Sequence, residues 1–458
     1  MDRREFIKKL GLGGAAIGTA AVVGCKGGSR GETGSSLSDV PKGKMTLREN
    51  HNSGDKVSIL GYGCMRWPTK KGKDGKEEMD QERINELVDT ALEYGVNYFD
   101  TSPVYCQGMS ERATGIALSR HPRESYYIAT KMSNFSPDTQ TKEASIAMYK
   151  NSLKELQTDY IDYMLLHAVG GSMEEYQTRF VDTGILDYLM KEREEGRVRN
   201  LGFSFHGQQS VFDEMMRLHD DVHWDFVQIQ MNYLDWFHAN EMNSFNVDAN
   251  YLYDELTKRD IPVVIMEPLL GGRLSKVNGN VLRMLKAKEP DKTAASWAFR
   301  YCGSYPNVLT ALSGMTFMEH LVDNLHSYCP LQPLTEEERT YLENDVANEI
   351  LKYPTIPCTG CQYCMPCPYG LDIPGIFAHY NKCINEGLMP SSTQDPEYAK
   401  LRRAFLVGYD RSVPKLRQAN HCIECCRCLE HCPQKIEIPN EMHKIDEYVE
   451  KLKQEAPL

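Results

Sequence analysis

Short apolar runs recur along the chain from Val57 onward, with amphipathic stretches in the gaps between them. The runs begin near Val57, Val96, Tyr126, Ile161, Val198, Phe226, Val263 and Val308. They are rich in β-branched and aromatic residues, as buried strands are. Stretches 81–94, 141–156, 184–195 and 249–259 place apolar residues three and four apart, which predicts helices with one buried face. Eight strands alternating with helices over about 270 residues predict an α/β fold of the (β/α)8 barrel type, a TIM barrel. A doubly wound open sheet is the alternative, but no Gly-x-Gly-x-x-Gly follows the first strand. The barrel is assigned to 45–334.

Three of the predicted strands end on a single ionisable residue. The run 96–99 leads into Asp100, 125–130 into Lys131 and 161–166 into His167. Tyr105 follows Asp100 in a loop, because Pro103 stops the strand from continuing. Parallel barrel strands deliver their ends to one face, so Asp100, Tyr105, Lys131 and His167 are expected to converge there. Such a set handles protons. A phenol alone titrates near 10, too high for a good acid at neutral pH. A lysine ammonium close by favours the phenolate, and an aspartate holds that lysine in place. A histidine beside them can hydrogen-bond a carbonyl oxygen and orient it. The expected chemistry is proton transfer by Tyr105 at the oxygen of a carbonyl or alcohol as hydride moves at carbon.

Asp100-Thr-Ser-Pro-Val-Tyr105, Lys131 and His167 together resemble the catalytic tetrad of the aldo/keto reductases. The resemblance runs from about Met45 to Tyr328, and it implies NADP or NAD as cofactor with a small-molecule carbonyl or alcohol as substrate. Gly196-Arg-Val-Arg-Asn-Leu-Gly-Phe-Ser204 is similar to the family's fifth strand, and Ser204 is implied to contact the nicotinamide. Gln228 is implied to bind the carboxamide, and Pro268 and Leu269 to follow the seventh strand. Ser313, Gly314, Met315, Asp323 and Asn324 resemble the turn that holds the adenosine half. Two departures bear on the cofactor. Ser204 is followed by Phe205 and His206 instead of Asn, and Thr316 and His320 stand where the family has phosphate-gripping Arg or Lys.

Composition adds a second module. The chain of 458 residues carries a net charge of -12, and no dense basic tract follows its first residues, which argues against nucleic acid. Of its 15 cysteines, ten fall between Cys358 and Cys432. They form two runs, Cys358-x2-Cys361-x2-Cys364-x2-Cys367-Pro and Cys422-x2-Cys425-x2-Cys428-x3-Cys432-Pro. Soft thiolates at this density suit iron–sulfur clusters. Zinc is the alternative, although structural zinc favours two Cys-x2-Cys pairs at longer separation. The second run matches the bacterial ferredoxin pattern, and the first is one residue short before its fourth cysteine. That resemblance implies two 4Fe-4S clusters with crossed fourth ligands: Cys358, Cys361, Cys364 and Cys432 on one, Cys422, Cys425, Cys428 and Cys367 on the other. Helical stretches at 335–352, 375–383 and 397–407 predict a small, mostly α-helical dicluster ferredoxin-like domain over 335–458. Cys383 and Cys426 are expected to be buried spare thiols, and Cys64, Cys106, Cys302 and Cys329 to pack in the barrel.

At the N-terminus Arg3-Arg4 and the apolar stretch 10–24 resemble a twin-arginine export signal, with lipobox-like Val22-Val23-Gly24-Cys25. Residues 1–25 are therefore expected to direct export as a periplasmic-side membrane lipoprotein touching the membrane only through that anchor, and 26–44 to form a flexible tether. The leading expectation is an oxidoreductase whose clusters are redox-active with a partner protein, or structural. An electron-carrier or scaffold subunit with a silent barrel is the alternative.

Overall fold

The structure, a computed structural model, describes residues 36–73, 75–390, 392–394 and 396–454. Its strands in chain order are β1 (Leu47–Glu49), β2 (Lys56–Ser58), β3 (Leu60–Gly63), β4 (Thr69–Lys71), β5 (Glu77–Met79) and β6 (Tyr98–Asp100). They continue as β7 (Tyr127–Met132), β8 (Ile161–Val169), β9 (Val198–Phe205), β10 (Phe226–Gln230), β11 (Val263–Met266) and β12 (Val308–Ser313). Strands β3 and β6 to β12 close into a parallel barrel in the order β10-β11-β12-β3-β6-β7-β8-β9. The helices between them pack an apolar face against its outside, which makes the larger of the molecule's hydrophobic cores. One such helix, Lys142–Glu155, starts where Thr141 accepts a bond from the amide of Ala144 and so caps a free backbone donor.

The first strand departs from expectation. The run beginning at Val57 is broken: Lys56–Ser58 pairs antiparallel with β1, and only Leu60–Gly63 enters the barrel. The β1–β2 hairpin closes the N-terminal mouth. Arg48 donates to the carbonyls of Gly303 at 2.7 Å and Tyr305 at 2.9 Å, tying the hairpin to the loop before β12.

Side chains alternate across the barrel wall, and this decides which residues reach the site. Tyr98, Ala129, Tyr163, Leu165, Phe226 and Val264 point inward and share one apolar cluster. Tyr98 and Phe226 each stack edge-on against Tyr163 with ring centroids 5.0 Å apart. Two residues further along the same inward rows stand Asp100, Lys131, His167 and Gln228. The chemistry of the upper rim thus sits on an aromatic floor.

Residues beyond the barrel form a second, helical module with its own core. Helices Ile373–Asn385, Tyr398–Ser412 and Ile438–Gln454 bury Ile376, Phe377, Phe405, Tyr409, Met442, Ile445 and Val449 against one another. The mostly helical expectation holds. The linking helix expected over 335–352 is interrupted: Glu336–Tyr341 and Ala347–Leu351 flank a wider π turn at Leu342–Val346.

Three further expectations change. The export signal and Cys25 lie outside the described residues. Of the expected tether, 36–44 lies along the barrel: Val40 is buried, and the Tyr94 hydroxyl donates to the Leu37 carbonyl at 3.2 Å. Cys383 is buried as expected but Cys426 is exposed, because its backbone takes a left-handed turn, φ 58°, within the loop of the second cysteine run. Cys64, Cys302 and Cys329 pack in the barrel, while Cys106 is only partly buried.

Candidate active site

Asp100, Lys131 and His167 arrive at one rim from adjacent strands β6, β7 and β8. Lys131 Nζ donates to Asp100 Oδ1 at 2.6 Å and to the Thr101 carbonyl at 2.8 Å. Burial works against both charges, lifting the Asp100 carboxyl and lowering the Lys131 ammonium, and their pairing opposes it. Tyr105 reaches back from the loop after β6, and Lys131 Nζ lies 4.8 Å from the centre of its ring. His167 Nδ1 meets the Ser133 hydroxyl at 2.6 Å and the Ser102 hydroxyl at 3.4 Å. Burial, helped by the charges of Lys131 and Arg179, pushes the His167 imidazole well below its usual range, so the ring is neutral. The four side chains expected to converge do so.

One electrostatic expectation reverses. The Tyr105 phenol is not acidified here: burial raises it well above its ordinary value, and Tyr363 and Asp100 add to the rise. Lys131 spends its donors on Asp100 and Thr101 and faces the ring of Tyr105, so it offers the phenolate little direct support.

Tyr363 is the residue that sequence reasoning missed. It belongs to the helical module, between Cys361 and Cys364, yet its hydroxyl lies 3.5 Å from His167 Nε2, and it adds to the rise of the Tyr105 phenol. Its ring stands 6.5 Å from that of Tyr105 and 6.3 Å from that of His167, centroid to centroid. Nothing in periodicity links residues so far apart in the chain; an aromatic residue inside a Cys-x2-Cys spacing was the one visible signal. Ser102, Ser133 and Arg179, which fix His167, were missed as well.

A polar seam holds the helical module on this rim. Asn243 Nδ2 donates to the Gln434 carbonyl at 2.6 Å, and Gln434 Nε2 donates to Gln230 Oε1 at 3.2 Å. Arg66 donates to the Thr359 carbonyl, and Arg273 to the Thr355 hydroxyl. Gly271 has φ +66°, and a β-carbon there would come within 2.4 Å of Thr359 Cα, so the close approach requires glycine.

The residues implied to hold a nicotinamide dinucleotide are distributed around the same rim. Gln228 is buried and its Oε1 has no hydrogen-bond partner, as an acceptor awaiting a carboxamide N–H would be. Ser204 Oγ accepts from the Ala168 amide at 2.8 Å. Pro268 is buried and Leu269 half-buried behind Gly271. Asn324 Nδ2 donates to Ser313 Oγ at 2.8 Å, and Thr293 donates to Asp323 at 2.8 Å. The Met315 carbonyl accepts from Tyr62, and the stem of Arg66 lies across Gly314. These residues fit a nicotinamide at the Gln228 end, while Arg66 and residues 355–363 cover the rim beside it.

The cysteines sort into two neighbourhoods. Burial raises the thiols of Cys358, Cys361, Cys364 and Cys432, and Cys358, Cys361 and Cys364 each feel Cys432 nearby. Cys422 and Cys428 feel Cys425 and Cys367 in the same way. Each set draws its fourth member from the other run. Among the described residues, no three His, Cys, Asp or Glu side chains converge closely enough to hold a single ion.

Comparison with known proteins agrees with this geometry. The profile of the aldo/keto reductase family matches residues 59–344, more than half of the chain and none of either cysteine run. An uncharacterized oxidoreductase, YqkF, of Bacillus subtilis is 26% identical over 325 residues, covering 67% of this chain and 99% of that protein. L-galactose dehydrogenase of Arabidopsis thaliana is 24% identical over 331 residues, covering 69% of this chain and 98% of that one. Among solved structures, an aldo-keto reductase from Klebsiella pneumoniae in complex with NADPH shares the fold, with a TM-score of 0.52 at 22% identity over 66% of this chain and 96% of that one. A closed eight-stranded parallel barrel carrying Asp100, Tyr105, Lys131 and His167 on one rim, and a family profile spanning it, make this chain a member of the aldo/keto reductase family, an oxidoreductase.

Proposed function

We propose that the chain interconverts a carbonyl and an alcohol, with Tyr105 as the acid and base at the substrate oxygen. The observation that carries this reading is the meeting of Tyr105, the Lys131–Asp100 pair and neutral His167 at one rim. His167, held through Nδ1 by Ser133, presents Nε2 to the substrate oxygen and orients it. Tyr105 gives its proton to that oxygen in reduction and takes it back in oxidation. Lys131, paired with Asp100, holds its ammonium 4.8 Å from the centre of the Tyr105 ring. NADP or NAD supplies or accepts the hydride when bound, and Ser204, Gln228, Pro268, Leu269, Ser313, Gly314, Met315, Asp323 and Asn324 would hold it. The NADPH in the Klebsiella pneumoniae structure supports NADP.

The two cysteine neighbourhoods support a pair of 4Fe-4S clusters with crossed fourth ligands, Cys432 on the first and Cys367 on the second. Zinc would need four sulfurs about 2.3 Å from one point. We further propose export as a lipoprotein through Arg3-Arg4 and Cys25, and a redox partner protein for the clusters. A second reading, a scaffold or electron carrier with a silent barrel, is favoured by one observation: the tetrad is closed under Tyr363.

The test is anaerobic purification with iron and sulfide analysis, followed by NADPH oxidation against a panel of carbonyls for the wild type and Tyr105→Phe. Turnover that depends on Tyr105 supports the enzyme. Nicotinamide neither bound nor oxidised supports the scaffold.

A further inference from the structure

We propose that Tyr363 is a displaceable occupant of the substrate-oxygen position, so that the cysteine-rich module governs entry to the barrel's site. The inference rests on the reading of Tyr105 and His167 given above. Of the two groups that would contact a substrate oxygen, His167 Nε2 meets the Tyr363 hydroxyl at 3.5 Å, and Tyr105 faces the Tyr363 ring 6.5 Å away, centroid to centroid. A phenol O–H donates and accepts, as an alcohol does, so the resident side chain stands in for the product of carbonyl reduction. Its ring completes an aromatic enclosure with Tyr105 and with Phe135, whose ring lies 5.0 Å from His167. With it in place Tyr105 is only 9% exposed and His167 5%.

The placement is built into the chain. Gln362 takes a left-handed backbone conformation, φ 67°, and its carbonyl accepts from the Met365 amide at 2.9 Å, so a tight turn directs Tyr363 away from the cysteines and toward the barrel. Thr359, just before the turn, is pinned by Arg66 and lies against Gly271. A substrate reaches Tyr105 when Tyr363 swings out on its own side-chain bonds or when the Cys361–Cys364 turn shifts. Whatever state the cysteines are in therefore bears on access. A competitor that fills the site nine-tenths of the time raises the apparent KM about tenfold and leaves kcat alone.

The experiment reads access to His167 separately from turnover. Full-length, anaerobically purified wild type, Tyr363→Ala and Tyr363→Leu are treated with diethyl pyrocarbonate, and modification of His167 is followed by peptide mass mapping, with exposed His443 as internal control. Circular dichroism establishes which variant is folded, and Tyr363→Leu keeps an apolar body in the turn should the alanine variant fail. The expected result is at least tenfold faster labelling of His167 in the folded variant, with His443 unchanged. In NADPH-dependent reduction of 4-nitrobenzaldehyde, KM should fall about tenfold and kcat change less than twofold. Labelling of His167 at the wild-type rate in a folded variant overturns the proposal. Unmasking of His167 without turnover in any of the three proteins leaves the gate standing and removes the carbonyl reading of the site.

Discussion

Lys131 and Asp100 form an ion pair at 2.6 Å with both side chains almost wholly buried. Removing one partner leaves the other charge buried and unpaired, which costs about 3–5 kcal/mol, whereas removing both costs far less. Asp100→Asn should therefore destabilise the protein by roughly 3 kcal/mol, and Lys131→Met with Asp100→Asn should recover most of that loss. Urea unfolding of the two single variants and the double variant measures the coupling directly. Additive losses would show that the pair is not a unit.

Tyr105→Phe should lower kcat by about 10²–10⁴, the contribution of a positioned acid, with nicotinamide affinity within twofold of the wild type. Steady-state kinetics and fluorescence titration separate the two quantities. The high resting position of the phenol adds a condition: with burial holding the Tyr105 proton on, the reduction direction should keep its rate into alkaline pH.

Glu111 lies behind the site, in the helix Ser110–Leu118, and accepts from the Thr130 hydroxyl at 2.5 Å. Burial pushes its carboxyl from 4.5 up to about 7. The folded protein thus holds a proton that the unfolded chain releases, so this contribution is complete below pH 4.5 and is lost as pH rises through 7. The difference amounts to ~3 kcal/mol. Glu111→Gln should match the wild type near pH 4.5 and exceed it by several degrees in Tm at pH 8.5. Thermal unfolding at the two pH values is the measurement.

The seam between the modules can be opened from the barrel side. Gly271→Ala places a methyl group against the Thr359 backbone in a left-handed conformation, which costs at least about 1–2 kcal/mol for the conformation alone. Hydrogen exchange at 356–363 should rise in this variant while exchange in β6 to β9 stays at the wild-type level.

Crossed cysteines give distinct losses. On the proposed crossed ligation, Cys432→Ser should lose the cluster of the set containing Cys358, Cys361 and Cys364, and Cys367→Ser that of the set containing Cys422, Cys425 and Cys428. Each variant should keep about half the wild-type iron, since each set would hold one of two equal clusters. Electron paramagnetic resonance of the reduced proteins distinguishes which half remains.

How much of this was legible in the sequence follows from range. Strand ends carry their chemistry locally, so Asp100, Lys131 and His167 could be placed on one rim once the strands were read as a parallel barrel. The first strand could not be placed: nothing local distinguishes Lys56–Ser58, which pairs outside the barrel, from Leu60–Gly63, which pairs inside it. The sign of the Tyr105 shift was also out of reach, because it depends on how deeply the phenol is covered, and the cover is supplied by Tyr363 from the far end of the chain.

The β1–β2 hairpin shuts the lower mouth of the barrel and the cysteine-rich module roofs the upper one. On the proposed reading, reactant and product would cross the joint where Arg66, Asn243 and Gln230 clasp the roof. Opening there would take microseconds to milliseconds, as motions of this kind do, and would stay ahead of ordinary turnover.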